Sequence, residues 1–157
     1  MRVYHGSYTE IPVPDVSHSR RAVDFGPGFY VTPIYEQAKK WAEKFGRRGK
    51  SSVISEYEFN ENAFSFLKAL RFDSYSDEWL NYVIACRKEA VNDDYDIIIG
   101  GVANDKVFDT VELFFDGLIE ASVAIERLKY EKPNLQICFK TQKAIDNYLK
   151  FSGSEML

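Results

Sequence analysis

A glycine pair followed by a strand and then a helix pattern constrains this chain more than any other stretch. The run Gly26-Pro27-Gly28 relieves steric limits where a backbone must turn or lie against a ligand. Residues 29–31 (Phe-Tyr-Val) are typical of a short strand, and apolar residues at helical spacing follow over 35–45. Two aromatic residues, Tyr30 and Trp41, lie on these elements. Such a pair either holds a flat ring between its faces or packs as ordinary core.

The N-terminal residues predict a second short strand that ends in a polar tripeptide. Residues 2–5 alternate in polarity, and the strand delivers His5, Gly6 and Ser7. A histidine beside a glycine presents an imidazole and an accessible backbone to a ligand, or is satisfied within the structure. The tripeptide alone is compatible with both interpretations.

Together these stretches resemble the ADP-ribosyltransferase superfamily, in its poly(ADP-ribose) polymerase and diphtheria toxin branch. That branch has a histidine-glycine on its first strand, a glycine-x-glycine-φ-tyrosine strand and a second aromatic on the following helix. Within it, residues 24–30, 101–105 and 127–130, with Pro133-Asn134 and the Gln-x-Cys-Phe strand, resemble an uncharacterised bacterial family, DUF3990. The resemblance implies an α+β fold of the ADP-ribosyltransferase type, in which a split β-sheet core with flanking helices surrounds an NAD cleft.

The resemblance also implies a role for each residue of the predicted site. His5 would donate to the adenosine-side ribose, and Gly6 would hold the nicotinamide amide through its backbone, assisted by Ser7. Tyr30 would stack on the nicotinamide, with Trp41 as the second stacking aromatic. We expect these side chains to line one cleft. The implied set that binds NAD, as substrate, is His5, Gly6, Ser7, Gly28, Tyr30 and Trp41.

The third element of the superfamily is a catalytic glutamate on a late strand, and Gln136 takes its place here. The implied catalytic set is therefore His5, Tyr30 and Gln136, with Gln136 facing into the cleft. An amide keeps the hydrogen bond to the ribose hydroxyl but brings no charge. At ~4 Å and an effective dielectric of ~20, the missing carboxylate–cation attraction is worth about 4 kcal/mol. The amide leaves NAD binding plausible and puts catalysis in question.

Three further side chains carry weaker predictions. Asp24 and Asp105 adjoin glycine-bearing stretches, and each either touches ribose or the acceptor or serves as a turn or cap residue. Asn134 lies two residues before Gln136, where toxin-like members have an acceptor-selecting residue. Without an acidic pair at these positions, arginine is a less favoured acceptor.

The remaining elements are predicted from periodicity and from cap and turn residues. An aromatic segment over 64–72 has no clear assignment. The predicted elements are strands at 52–59, 96–101 and 135–139; helices at 77–90 (capped by Ser76), from Asn104 or Asp105 through 115, at 118–128 and from Thr141 into a tail; and a break at 132–134.

Length and composition limit the possible domain count, partners and location of the protein. The 157 residues predict a single domain over 1–157, and the net charge of −4 argues against a protein that lives on a nucleic-acid backbone. No leader pattern and no apolar run of ~20 residues is present, so we expect a cytoplasmic protein with no membrane association. Cys86 and Cys138 lack CxxC spacing, which predicts reduced structural thiols and no metal site.

The function that the resemblance implies is transfer of ADP-ribose from NAD to an unknown macromolecular acceptor. Members of the family are thought to act as bacterial toxins or effectors, sometimes encoded beside a small antitoxin-like partner. A non-catalytic module that binds NAD or ADP-ribose is the alternative that Gln136 favours. A purely structural role with an empty cleft is the third.

Overall fold

The computed structural model describes residues 1–129 and 134–157, apart from the side chain of Asp105. The strands are β1 Arg2–Ser7, β2 Phe29–Val31, β3 Val53–Phe59, β4 Ala69–Arg71, β5 Ile97–Gly100, β6 Gln136–Phe139 and β7 Leu149–Met156. The helices are α1 Tyr35–Gly46, α2 Ala63–Phe66, α3 Asp77–Arg87, α4 Asp105–Phe115, α5 Ala121–Leu128 and α6 Gln142–Tyr148, with a 3₁₀ helix at Val16–His18.

The strands form two sheets, which confirms the predicted α+β class. One sheet is antiparallel, in the order β1-β3-β7, and the other has the order β2-β6-β5-β4. In the second sheet the β4–β5 pair is parallel and the other pairs are antiparallel. A single bridge between Tyr4 and Thr32 joins β1 to the end of β2. Two sheets that touch at one bridge leave the edges of β1 and β2 facing each other.

The continuous apolar strand β5 lies between β4 and β6 and is buried throughout. Ile97 and Ile99 belong to the core between the two sheets, whereas Ile98 faces the core formed with α3, α4 and α5. A strand covered on both faces needs apolar residues at successive positions, which explains the unbroken β-branched run. The predicted buried strand is confirmed.

Helix α1 lies directly on β1 because Gly6 has no side chain. A Cβ atom at Gly6 would lie 2.2 Å from the carbonyl oxygen of Ala38 and 2.8 Å from the nitrogen of Ala42. Both alanines are buried on the helix face that contacts the strand. The glycine and the two small helical residues therefore set the distance between α1 and β1.

Two predicted helix caps are confirmed. The Ser76 hydroxyl accepts from the backbone N–H of Trp79 at 3.2 Å, and Asn104 Oδ1 accepts from that of Val107 at 3.0 Å. Of the two candidates for the second cap, Asn104 is the cap and Asp105 is the first helical residue. In the predicted break at 132–134, residues 132 and 133 lie outside the described residues.

The structure corrects the prediction for the C-terminal residues. They form β7, an eight-residue strand paired with β3, and not a tail. Alternate residues Leu149, Phe151 and Gly153 face inward, a weak period-two signal that the polar residues between them obscure. The unassigned segment 64–72 contains most of α2 and all of β4.

Cys86 and Cys138 are buried free thiols, as predicted. Burial raises the pKa of Cys86 to about 11 and that of Cys138 to about 12. Both are therefore protonated at neutral pH and are poor nucleophiles. No helix within residues 1–129 and 134–157 is long and apolar enough to cross a membrane.

Candidate functional site

Strands β1 and β2 meet at the Tyr4–Thr32 bridge and then part. Tyr4 and Thr32 exchange two backbone hydrogen bonds of 2.8 and 2.9 Å. Backbone groups along a strand point to alternate edges, so Gly6 directs its N–H and C=O to the same edge as Tyr4, away from β3. Continuing the pairing from the bridge puts Tyr30 opposite Gly6, but the Tyr30 carbonyl accepts from His5 Nδ1 at 2.6 Å instead. The pairing of β1 with β2 therefore does not continue past the bridge, and we call the place where the two strands part the gap; Gly6, which is buried, lies on its β1 side.

The imidazole of His5 is held in one orientation at this gap. It stacks on the ring of Phe29, with centroids 4.6 Å apart and planes at 26°. Because a carbonyl oxygen can only accept, Nδ1 carries the proton and donates to Tyr30. Burial lowers the pKa of His5, and the bond to the Tyr30 carbonyl opposes this in part. At neutral pH the ring is thus neutral, and its second nitrogen, Nε2, is a hydrogen-bond acceptor.

The hydroxyl of Tyr30 is occupied by the loop that precedes β2. It donates to the Gly26 carbonyl at 2.5 Å and accepts from the Phe25 N–H at 3.1 Å. Gly26 has a φ of +73°, a conformation that favours glycine, so the turn and the tyrosine fit together. Burial is the main cause that raises the pKa of Tyr30. The hydroxyl of Tyr30 is thus engaged by the protein, and its ring packs against the core formed with α3, α4 and α5.

Trp41 lies on the side of α1 that faces β6. Gln37, one helical turn earlier on the same side, donates to the Leu135 carbonyl at 3.0 Å and accepts from the Leu135 N–H at 3.2 Å. The Trp41 side chain is 45% exposed, and Lys44 Nζ lies 4.7 Å from its ring centroid. Trp41 is therefore partly exposed, with a lysine ammonium over its ring, and its predicted stacking role stays a prediction.

Gln136 belongs to a buried polar network. Its Nε2 donates to Asp24 Oδ2 at 3.0 Å and to the Gly101 carbonyl at 3.2 Å. Asp24 also accepts from Arg87 at 2.6 Å and from the Ala103 N–H at 2.9 Å. Asp24 and Gln136 each keep only 8% of their surface exposed. The network ties β6 to the loop before β2 and to the loop after β5.

The predicted residues fall into two groups on the two faces of β2. Tyr30 pairs with Cys138, so Tyr30, Cys138 and Gln136 share one face of their sheet, whereas Phe29, which supports His5, is on the other. No hydrogen bond, ion pair or ring contact among the described residues joins His5 directly to Gln136. Tyr30 links the groups, because its carbonyl holds His5 and its hydroxyl holds the loop that carries Asp24. That both groups act on one ligand stays a prediction.

The other predicted residues have structural partners. Ser7 is buried opposite Val53. A Cβ atom at Gly28 would lie 2.4 Å from Cys138 Sγ, so this glycine permits close packing on β6. Asn134 Oδ1 accepts from the Tyr75 hydroxyl and from the Val102 N–H, both at 2.7 Å. The side chain of Asp105 lies outside the described structure.

Sequence reasoning missed Arg87 and Gln37, and it gave too little weight to Asp24. Arg87 and Asp24 are 63 residues apart, and neither has a neighbour in the sequence that signals the ion pair. In the apolar periodicity of α1, Gln37 falls at one of the polar positions, so the sequence gives no sign that it has a special role. For Asp24, the one signal in the sequence was its position close to the Gly26 turn.

An open cavity of about 530 Å³ is lined by other residues, among them Lys68, Asp96 and Lys140. Its lysines and aspartates are largely paired with one another, as Lys68 is with Asp94 and Lys143 with Asp96. The gap beside Gly6 is the better candidate because two of the residues predicted from the sequence, His5 and Tyr30, are joined there. Among the described residues, no group of three His, Cys, Asp or Glu is arranged to hold a metal ion.

Comparison with known proteins gives one match. The profile of a family described as "Protein of unknown function (DUF3990)" matches residues 1–151. No curated protein and no solved structure matches significantly.

Proposed function

The chain belongs to the DUF3990 family, and from that premise we propose that it is an NAD-dependent ADP-ribosyltransferase that modifies a macromolecular acceptor. The observation that carries the proposal is the gap between β1 and β2. There the buried backbone of Gly6 is directed away from β3, beside the oriented imidazole of His5. The proposal includes action as a bacterial toxin or effector in the cytoplasm, controlled by a small antitoxin-like protein.

The gap complements the nicotinamide end of NAD. A carboxamide has one acceptor and two donors, which match the N–H and the C=O of one strand residue, Gly6. The exposed ring of Trp41 lies on the neighbouring helix face and supplies a stacking surface. Nε2 of the neutral His5 accepts from a ribose hydroxyl. This hydrogen bond runs in the opposite direction to the one predicted from the sequence, because Nδ1 holds the proton.

The reaction is displacement at the anomeric carbon of the nicotinamide ribose. The bond from that carbon to nicotinamide breaks, and nicotinamide leaves with the electron pair. A nucleophile of the acceptor forms the new bond and loses its proton to solvent. Positive charge develops on the ribose during this step, and preorganised polar groups stabilise it. Gln136 contributes a dipole and no charge.

A second function, non-catalytic binding of NAD or ADP-ribose, is favoured by this same amide. A glutamate would add about 4 kcal/mol of attraction to the cationic ribose, which corresponds to a rate factor of about a thousand. Without it, the gap still binds the dinucleotide through Gly6, His5 and Trp41. The two functions differ in turnover and not in affinity.

Incubation with NAD that is isotopically labelled in the adenine separates the two. Transfer of label to a component of a bacterial lysate, with release of nicotinamide, supports the transferase. Calorimetric binding without release supports the binding module. If millimolar NAD neither binds to the protein nor shifts its melting temperature, both functions are contradicted.

Trp41→Ala tests the stacking role directly, since an exposed side chain contributes little to folding. We expect NAD binding to weaken by about 1–3 kcal/mol, the range for loss of base–aromatic stacking. The matched control is Phe66→Ala, at another exposed aromatic (76% exposed) on α2. An unchanged Kd for NAD in a folded Trp41→Ala variant removes Trp41 from the site.

A further inference from the structure

The amide of Gln136 has both of its N–H donors engaged by the protein. One donates to Asp24 Oδ2 at 3.0 Å and the other to the Gly101 carbonyl at 3.2 Å. Both partners can only accept, so the nitrogen of the amide must be on their side. The carbonyl oxygen Oε1 is then the part of the side chain that remains for a ligand.

Asp24 is itself held in place from two directions. Its Oδ1 accepts from Arg87 at 2.6 Å, and its Oδ2 accepts from the Ala103 N–H at 2.9 Å as well as from Gln136. Arg87 in turn lies over the ring of Phe108, 4.5 Å from the centroid. A buried carboxylate with three donors has little freedom to rotate, and it transmits that rigidity to the amide.

We propose that Asp24 is a positioning residue that fixes Gln136 as a pure hydrogen-bond acceptor, so that the ligand group bound at Gln136 is a hydroxyl donor. The inference rests on the proposed function for the identity of the ligand, a ribose hydroxyl of NAD. It also explains why an amide stands at this position. A glutamate would direct a carboxylate at the Asp24 carboxylate and the Gly101 carbonyl, which leaves three acceptors and no donor.

A double-mutant cycle tests, without any ligand, whether Asp24 fixes the amide of Gln136. Asp24→Asn and Gln136→Glu should each lower Tm by roughly 3–8 °C, since each leaves buried groups mismatched. In the double variant, the amide nitrogen introduced at position 24 can donate to the new carboxylate, and the pair regains one hydrogen bond. The combined fall in Tm should therefore be smaller than the sum of the two. If the falls in Tm of the two single variants simply add in the double variant, Asp24 does not fix Gln136 and the proposal is overturned.

The ligand half of the inference is tested with NAD and its analogue that lacks the 2′-hydroxyl on the nicotinamide ribose. The wild type should bind NAD about fivefold to tenfold more tightly than the analogue, the worth of one hydrogen bond. In Asp24→Asn this ratio should fall toward one, which a merely structural role would not produce. Where that variant does not fold, Asp24→Glu serves, because it keeps the charge and displaces the carboxylate. A ratio equal to that of the wild type overturns the positioning role.

Asp109→Asn is the matched control, because it removes a carboxylate from α4 that lies outside this network. It should keep both the wild-type Tm and the wild-type preference for NAD. If the wild type binds no NAD, the proposed function fails and the ligand half fails with it. The thermal cycle then still decides whether Asp24 fixes Gln136.

Discussion

At the scale of single residues, Tyr30 holds the two halves of the candidate site together. Its carbonyl orients His5, and its hydroxyl fixes the turn after Asp24 through Gly26 and Phe25. Removal of the hydroxyl leaves a carbonyl and an N–H without their partner. Tyr30 therefore bears on ligand binding through its carbonyl oxygen and on stability through its hydroxyl.

Tyr30→Phe tests the second of these links. We expect the free energy of unfolding to fall by about 1–3 kcal/mol, because a buried hydrogen-bonded pair is left unsatisfied. NAD affinity should fall with it as the loop loosens. Urea denaturation of the variant is compared with that of Tyr8→Phe, at an exposed tyrosine, where a change within about 0.5 kcal/mol is expected. Equal stabilities of the two variants would contradict the loop-holding role.

His5 makes stability depend on pH in a predictable direction. Its pKa in the folded protein lies below the ordinary value of 6.5, chiefly through burial. Below about pH 6.5 the unfolded chain binds a proton that the folded protein does not, so the free energy of unfolding decreases as pH falls. The slope from this group is at most about 1.4 kcal/mol per pH unit, and the loss ends once pH is below the folded-state pKa.

His5→Asn should remove this slope, because an amide nitrogen replaces Nδ1 and does not titrate. The measurement is urea denaturation between about pH 7.5 and 5.5 for the wild type and the variant. Phe66→Ala, at an exposed phenylalanine, is the control and should keep the wild-type slope, because it removes no titratable group. A wild-type slope in His5→Asn would mean that other groups cause the pH dependence.

At the scale of elements, α1 and β1 carry most of the candidate site. Gly6, which is buried, packs against the helix and directs its backbone groups to the edge of β1 that faces β2. Gly6→Ala places a Cβ 2.2 Å from a helix carbonyl, so α1 must move away from β1. We expect a loss of about 1–3 kcal/mol, typical of overpacking, and loss of NAD binding.

Gly49→Ala is the comparison for this change. Gly49 has a φ of +77° with nothing within 4 Å of the added Cβ, so it has backbone strain and no packing clash. Its cost should be about 1–2 kcal/mol, with NAD binding intact. Thermal melts and calorimetry on both variants separate the two effects. If Gly6→Ala binds NAD as the wild type does, α1 does not set the geometry of the gap.

Local patterns were sufficient to predict the elements that carry strong periodicity or caps. The strands β1, β2 and β5 and the helices α1 and α3 follow from alternation, an apolar run and cap residues such as Ser76. β7 was missed because its inward residues are separated by polar ones and its partner β3 is some 90 residues earlier. The Asp24–Arg87 ion pair was missed for the same reason. Contacts between distant residues leave no local trace in one sequence.

At the scale of the whole molecule, the sheet beside the gap depends on its last strand. β3 is the central strand and pairs with both β1 and β7, and the ring of Phe151 contacts that of Tyr57 at 5.8 Å. Deletion of residues 149–157 would expose the whole edge of β3. Exposed edges recruit other chains, so we expect association and loss of fixed tertiary structure.

Size-exclusion chromatography and near-ultraviolet circular dichroism of this truncation provide the measurement. The control deletes only residues 156 and 157, where Met156 is 74% exposed at the end of the strand. This shorter deletion should elute as a single species, as the full chain does, and should keep the near-ultraviolet spectrum of the full chain. A folded, unassociated 1–148 chain would show that the two-stranded remainder suffices.

The position of β7 also bears on when the candidate site can form during synthesis. Among the described strands, β7 is the last to be translated, and until it emerges from the ribosome β1 and β3 form only a two-stranded ribbon. Such ribbons are marginally stable in water. The backbone of Gly6 lies on this ribbon, so the nascent chain should hold NAD poorly until β7 has emerged. The candidate site would therefore be complete only after β7 has paired with β3, later than the synthesis of the strands that carry His5, Gly6 and Tyr30.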